Sequence, residues 1–349
     1  MVKVFAADGG NAKWKFIAPK TKIFPKKEDQ FDHFFVPLTP QDFKRAKARE
    51  GMNTDHFYTV NGAHYMVGRK AARYGDFQQQ FGEKRYNEQY YGVLAAIAMA
   101  RGFNAPTKNI FFLGSHPPKD ADYVDDLMAA VVKKWTVEWR EKTITLDVVD
   151  AATVDEPLCG WANVVFSADG KRYLNKTVNA GVTLVIDIGG VTTDGIVIDP
   201  NGEIDPSTAD SAKIGILEAV DAFKDSFRSD YKTELKGVDL DDAMAHEALQ
   251  TGKFNLRGLG VKDCSLLSTE IKRELVARVV NFYDSFGGAA HYDTLILDGG
   301  GAALLENELR DNIRHNNIIL ADKSADLHLA NARGAIKWGL FNLEVGTYD

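Results

Sequence analysis

Thr183-Leu-Val-Ile-Asp187-Ile-Gly-Gly-Val-Thr-Thr-Asp194-Gly-Ile-Val-Ile198 reads as an apolar strand, a glycine turn and a second apolar strand, with a carboxylate where the first strand ends. The same device stands half a chain earlier: Val2-Lys-Val-Phe-Ala-Ala-Asp8 runs into Gly9-Gly10-Asn11-Ala12-Lys13-Trp14-Lys15 and then Phe16-Ile17. One local pattern used twice predicts two similar α/β domains facing a shared site. A third apolar run, Thr294-Leu-Ile-Leu297, leads through Asp298-Gly299-Gly300-Gly301-Ala302 into the helical stretch Ala303–Leu309, so its glycines open a helix.

These turns carry the chemistry expected of a nucleoside triphosphate site. Glycines let backbone N–H groups approach phosphate oxygens, because no Cβ intervenes and positive φ is allowed. Asp8 and Asp187 end their strands where a carboxylate points into a cleft, and Mg²⁺ is usually held by one or two carboxylates together with waters and substrate phosphates. Asn11 and Thr192 can donate to phosphate, and Lys15 or Lys13 can supply a point charge. The triplet Gly299–Gly301 can hold an α-phosphate or flank the base. It lacks GxGxxG spacing, and GxxxxGK[ST] is absent from the chain, so the dinucleotide-fold and P-loop readings fail.

The rest of the sequence bounds the function. Its 349 residues are 45% hydrophobic and 26% charged, which suits two globular cores without a disordered tail. The formal net charge of −7 argues against direct nucleic-acid binding. The longest apolar stretch, Tyr90 to Ala100, is too short for a membrane span. An acid at position 8 interrupts any signal peptide, so a cytoplasmic protein without a membrane contact is expected. Cys159 and Cys264 read as buried thiols, and the histidines show no HxxxH or HExxH pair. Helical periodicity marks residues 216–227 and 267–286, the latter with Ser268 and Glu270 as a start signal and Gly287-Gly288 as a stop. Residues 20–90 are more polar and lack a long periodic helix before Glu88–Met99, which suggests an inserted subdomain, and residues 229–264 suggest another. Trp135 and Trp139 read as a packed stripe, and Tyr86, Tyr90 and Tyr91 as core or contact residues.

Asp-x-Gly-Asn-x-x-x-Lys at 8–15, Asp-x-Gly-Gly-x-Thr-x-Asp at 187–194 and the glycine triplet at 299–301 resemble the phosphate-1, phosphate-2 and adenosine motifs of the actin, heat-shock chaperone and sugar-kinase superfamily. With Ala332-Arg-Gly334-Ala-Ile-Lys-Trp-Gly339 and Asp205–Leu217, where Gly215 leads into a helix, the chain most resembles the bacterial plasmid-segregation actins of the ParM/StbA type. The resemblance implies an α/β, actin-like fold in which two similar domains flank a nucleotide cleft, each with a smaller inserted subdomain. Domain I would span 1–165 and be completed by about 328–349, and domain II would span 166–327. ATP or GTP with Mg²⁺ would bind Asp8, Gly10, Asn11, Lys15, Gly189, Gly190, Thr192, Asp194, Gly215, Gly299, Gly300, Gly301 and Ala302. Asp8 and Asp187 would hold the metal through water, with Asp187 also catalytic. Glu156, before Pro157, falls where these actins keep the residue that positions the attacking water. Asp155 competes for that role, and either acid can be a solvated turn residue. Hydrolysis would time a head-to-tail filament that segregates DNA through a small adaptor of the ParR type. Leu113-Gly-Ser115-His116-Pro117-Pro118 departs from the Gly-Leu-Pro usual there. A metabolite kinase of the same superfamily is the alternative, with Asp194 as the acid to weigh as its base. A nucleotide-regulated chaperone is a third class, and no stretch reads as a peptide-binding domain.

Overall fold

The computed structural model describes residues 2–10, 13–18, 27–51, 54–71, 82–233, 235, 240–256, 260–322 and 327–344. Two compact units emerge, Met1–Lys176 with His328–Asp349, and Thr177–Leu327.

The first unit is built on a nine-stranded sheet. Its strands are β1 (Lys3–Gly9), β2 (Lys13–Ala18), β3 (Lys27–Asp32), β4 (Phe35–Leu38), β5 (Phe57–Val60), β6 (Ala63–Val67), β7 (Thr107–His116), β8 (Lys134–Trp139) and β9 (Lys142–Asp155). Their order is β3-β2-β1-β7-β9-β8-β5-β6-β4. β1 pairs antiparallel with β2 and parallel with β7, and β7 continues parallel to β9. Strand alternation sends Phe5 and Phe112 to one face, where Phe5 meets Phe103, and Val4 and Leu113 to the other. The apolar run that ends at Ala100 becomes the helix Val93–Phe103, which buries every residue but Arg101. A helix hydrophobic all round belongs in a core rather than on a surface. Arg101 instead reaches Asp29 Oδ2 at 2.6 Å.

On the other face lie the helices Glu156–Val165 and Ala330–Glu344. They approach so closely that a Cβ at Gly334 would stand 1.7 Å from the Cys159 carbonyl oxygen, and one at Gly339 would stand 2.1 Å from Leu113. Glycine at these positions lets the last helix lie flat on the sheet and on its neighbour. Residues 166–176 also belong to the first unit, because Phe166 and Tyr173 pack on Phe341 at 4.4 and 5.3 Å between ring centroids.

Strands β4 to β6 lie in the stretch read as an inserted subdomain, and they continue the main sheet through β5 on β8. One expectation changes. The helix Pro40–Glu50, capped by the Thr39 side chain, was not expected, because it buries only Ala46 and so leaves no apolar stripe to read. Trp135 and Trp139 lie on strand β8 and are buried, as are Tyr86, Tyr90 and Tyr91.

The second unit holds β10 (Thr183–Ile188), β11 (Thr193–Ile198), β12 (Asp210–Ala212), β13 (Lys253–Leu256), β14 (Gly260–Asp263), β15 (Thr294–Asp298) and β16 (Ile318–Leu320). Five of them form a sheet in the order β12-β11-β10-β15-β16, and β13 with β14 is a separate hairpin. The helices Ile216–Asp230, Ser265–Ser285 and Gly299–Asn312 share its core with the helix Asp242–Thr251 and Phe254, so residues 240–256 are part of that core. Ser268 does not start its helix, which begins at Ser265. Its hydroxyl donates to the Ala248 carbonyl at 2.9 Å. Gly287 and Gly288 follow the helix end with φ of 92° and 73°. Among the described residues no helix is long and apolar enough to cross a membrane.

His33 is 2% exposed against Phe34 and Tyr90. Burial and the nearby Arg85 charge push its pKa down to about 4. The unfolded chain, with an ordinary histidine near ~6.5, therefore takes up a proton that the native state refuses. Stability should be intact above that value and fall as pH drops toward 4, by about 3 kcal/mol in all. Denaturant titrations of His33→Leu across this window should show a flatter profile than wild type.

Candidate functional site

Each unit ends its central strand in a buried aspartate flanked on both sides. In the first unit, Asp8 on β1 lies opposite Lys15 on β2 and Ser115 on β7. Residues opposite one another share a sheet face, so the three side chains form a row at the end of the strand. Asp8 is 1% exposed. Its Oδ2 accepts from Lys15 Nζ at 2.6 Å, while Oδ1 has no hydrogen-bond partner among the described residues. The Ser115 hydroxyl is likewise buried without a partner there. Gly10 follows in the turn, and a Cβ on it would stand 3.3 Å from Asp8 Oδ1 and 3.4 Å from Lys15 Nζ. The Lys15 ammonium thus lies beside this turn. Lys13 lies opposite Asp32 on β3. Asn11 lies outside the described residues.

The far end of β9 supplies the acids of 155–156. Glu156 opens the helix Glu156–Val165, and Asp155 is its N-cap residue. Asp155 Oδ1 lies 3.6 Å from His116 Nδ1. Burial lifts the Asp155 carboxyl above its ordinary range, and the His116 charge pulls it part of the way back. The neighbouring acids thus have different surroundings: Asp155 faces His116, whereas Glu156 acts electrostatically on Arg85 and Tyr91. Burial works against the Arg85 charge, but Tyr86, Glu156 and Asp120 outweigh it and hold the guanidinium more firmly protonated than usual.

In the second unit the corresponding row is wholly acidic. Asp187 on β10 lies opposite Asp194 on β11 and Asp298 on β15. They are 3%, 2% and 0% exposed. Asp194 Oδ2 accepts from the Thr192 hydroxyl at 2.8 Å, and Asp298 Oδ1 accepts from the Gly299 N–H at 2.6 Å. Among the described residues these acids do not form a group of three able to hold a metal by themselves. Gly189 N–H donates to the Thr192 carbonyl at 2.8 Å and closes the turn. The turn is then gripped by the next helix: Ile216 and Leu217 N–H donate to the Gly189 and Gly190 carbonyls at 3.2 and 2.9 Å. Gly215 makes this docking possible, because a Cβ there would meet the Gly190 oxygen at 2.4 Å.

Gly299, Gly300, Gly301 and Ala302 form the first turn of the helix Gly299–Asn312. Gly299 has φ +82°, and a Cβ on it would stand 2.2 Å from Asp187 Oδ1. Gly301 admits Ile188, whose Cγ2 would lie 2.2 Å from its Cβ. A glycine-opened helix N-terminus beside strand-end carboxylates is a place where a phosphate meets N–H groups and the positive end of a dipole. Within the first unit the structure brings together Asp8, Gly10 and Lys15, and within the second Asp187, Gly189, Gly190, Thr192, Asp194, Gly215 and the 299–302 turn. Arg85, Ser115 and Asp298 were not anticipated as site residues. Asp298 had a signal, an aspartate at a strand end before glycines, as at 8 and 187. Arg85 had none, since the two groups it bridges, Asp120 and the Gly9 carbonyl, are 35 and 76 residues away in sequence.

The model of the archaeal actin homologue MreB-like family, C-terminal domain, matches residues 185–311. No curated protein sequence matches the chain. The crystal structure of Ta0583, an archaeal actin homologue, superposes with a TM-score of 0.76 at 18% identity, over 97% of this chain and 99% of that one. Ta0583 in complex with ADP gives 0.72 at the same identity and coverage. The actin-like protein Alp7A gives 0.74 at 12% identity, over 99% and 97%. A subunit of a 15-stranded ParM filament from Clostridium botulinum gives 0.70 at 16%, over 97% and 99%. Likeness at these identities is likeness of fold, and it spans 97–99% of each protein.

Gly299 and Gly288 both hold positive φ, but a Cβ on Gly288 meets nothing within 4 Å. Gly288→Ala should cost only the left-handed backbone, about 1–2 kcal/mol. Gly299→Ala adds a collision with Asp187 and should cost roughly 1–3 kcal/mol more. Chemical denaturation of the two variants checks the difference, and equal losses would mean that Gly299 is not packed on Asp187.

Proposed function

From an actin-like fold that repeats a glycine turn and a buried strand-end aspartate in both units, we propose that the chain is a nucleotide hydrolase that assembles into filaments. The observation that carries this reading is the paired placement of Asp8 and Asp187, each buried near the end of a central strand that runs into a glycine turn, Gly9-Gly10 after the first and Gly189-Gly190 one residue beyond the second. Two such turns supply N–H groups and charge at separate points of a polyphosphate, which one hairpin cannot do.

ATP or GTP would be held by Gly10, Asn11 and Lys15 in the first unit. In the second, Gly189, Gly190, Thr192, Asp194, Gly215 and the Gly299–Ala302 turn would hold it. Mg²⁺ fits the donor set: Asp8 keeps one buried carboxylate oxygen without a partner among the described residues, and Asp187 is the acid at the corresponding position of the second unit. A bound Mg²⁺ would neutralise charge on the phosphates, and both acids would meet it through water. Lys15 stabilises charge on the phosphate it faces, and the turn N–H groups do the same. Glu156 orients the attacking water, and Asp155 does not, because its carboxyl is engaged with His116.

Ta0583 is known in complex with ADP and a Clostridium botulinum ParM as a filament, and both share this fold. They support nucleotide-dependent head-to-tail assembly here, whose heterologous contact generates an open polymer. The net charge of −7 suits a cytoplasmic protein that reaches DNA through a small basic adaptor of the ParR type rather than directly.

Sedimentation and light scattering with ATP or GTP and Mg²⁺ should show polymer that is absent without nucleotide. A protein that stays monomeric at tens of micromolar (~10–100 μM) and phosphorylates a small molecule would be the superfamily's metabolite kinase instead. Asp187→Ala should cut hydrolysis by roughly 10²–10³-fold, the effect of losing one such electrostatic contact, and unchanged turnover would remove Asp187 from the site. Glu156→Ala should bind nucleotide and polymerise, yet its filaments should persist, since a residue acting on the attacking water lowers kcat without weakening ground-state binding. Asp155→Asn should release phosphate and disassemble at close to the wild-type rate. Wild-type decay and phosphate release in Glu156→Ala would place the water-orienting group elsewhere.

A further inference from the structure

Arg85 is 3% exposed and uses its guanidinium as a bridge. Nη1 donates to the Gly9 carbonyl at 3.3 Å, and Nη2 donates to Asp120 Oδ2 at 3.1 Å and to the Tyr86 hydroxyl. Tyr86 in turn donates to the same Asp120 oxygen at 2.8 Å. Asp120 sits in the 3₁₀ turn Pro118–Tyr123, just past the end of β7, the parallel neighbour of β1. A guanidinium is planar, so fixing one of its nitrogens on Asp120 fixes where the other points. The Gly9 carbonyl is thereby tied to the exit of the adjacent strand.

A trans peptide makes this tie directional. The C=O of Gly9 and the N–H of Gly10 belong to one planar unit and point in opposite directions, and the described chain contains no cis peptide. With the carbonyl turned inward to a buried arginine, the Gly10 N–H faces the other way. Gly10 is the residue whose Cβ would crowd Asp8 Oδ1 and Lys15 Nζ. We propose that Arg85 is the positioning residue of the first glycine turn, holding the Gly9 carbonyl so that the Gly10 N–H is presented to a phosphate of a nucleoside triphosphate. The proposal rests on the nucleotide reading above for its ligand, and on the hydrogen bonds of Arg85 for its geometry.

A purely structural Arg85 would serve only to neutralise Asp120 and to lie over the Tyr86 ring, 4.6 Å from its centroid. The two roles separate in a double variant. Arg85→Met alone removes the charge partner of the buried Asp120, leaving it the Tyr86 hydroxyl, and should lower stability sharply. Arg85→Met with Asp120→Asn removes both charges and should recover most of that stability, but it cannot restore the bond to Gly9. Hydrogen exchange of peptides covering residues 8–15 should then be about tenfold faster than in wild type, while the helix Val93–Phe103 stays protected. Affinity for ATP or GTP with Mg²⁺, by titration of the full chain, should fall roughly 10- to 100-fold, the range of one or two lost charge-assisted hydrogen bonds. Arg85→Lys should lie between, since one ammonium cannot reach both partners with the same geometry. A stable double variant with wild-type exchange at 8–15 and wild-type nucleotide affinity overturns the proposal. If wild type binds no nucleotide, the functional reading falls, and unchanged exchange at 8–15 then overturns the positioning role as well, while accelerated exchange there upholds it.

Discussion

Burying a carboxylate costs several kcal/mol unless a charge or hydrogen bond compensates it, and this chain does so at the end of a central strand in each unit. Asp8 is compensated through one oxygen by Lys15. The other oxygen has no hydrogen-bond partner among the described residues. Asp187 lies against the Cα of Gly299, where any side chain would displace it. Much of the local architecture follows from keeping these two acids in place: glycines at 10, 215 and 299, helices docked on turns by backbone hydrogen bonds, and parallel neighbours that end at the same level.

The two rows are built alike and charged differently. Lys15, Asp8 and Ser115 combine a cation, an anion and a hydroxyl, whereas Asp194, Asp187 and Asp298 are three acids. Like charges in adjacent cross-strand positions repel, so the second row depends on the hydrogen bonds from Thr192 and the Gly299 N–H.

Close backbone approaches also hold the helices on the first unit's sheet. The last helix of the first unit lies on Cys159 and Leu113 through Gly334 and Gly339, which ties the C-terminal segment to the strand that carries Asp8. A side chain at Gly334 meets the backbone of Cys159 and has little room to relax, whereas one at Gly339 meets the side-chain ends of Leu113 and Val4.

The sequence by itself determined the parts whose signal is local. A strand-end aspartate followed by glycines and a second apolar run is a hairpin wherever it occurs, and the periodic stretches at 216–227 and 267–286 are helices because their apolar residues recur on one face. Asp8, Lys15, Asp187, Thr192, Asp194, Gly215 and the 299–302 turn were all named from such patterns or from their resemblance to known motifs. Only the tertiary structure decided the rest. Strands β4 to β6 join the main sheet through hydrogen bonds to β8, the helix Pro40–Glu50 buries one residue, Asp155 turns to His116, and Arg85 reaches Gly9 and Asp120. Each of these depends on which distant segments meet, and pairing between backbone groups or between a guanidinium and a carbonyl leaves no periodicity along the chain from which it could be read.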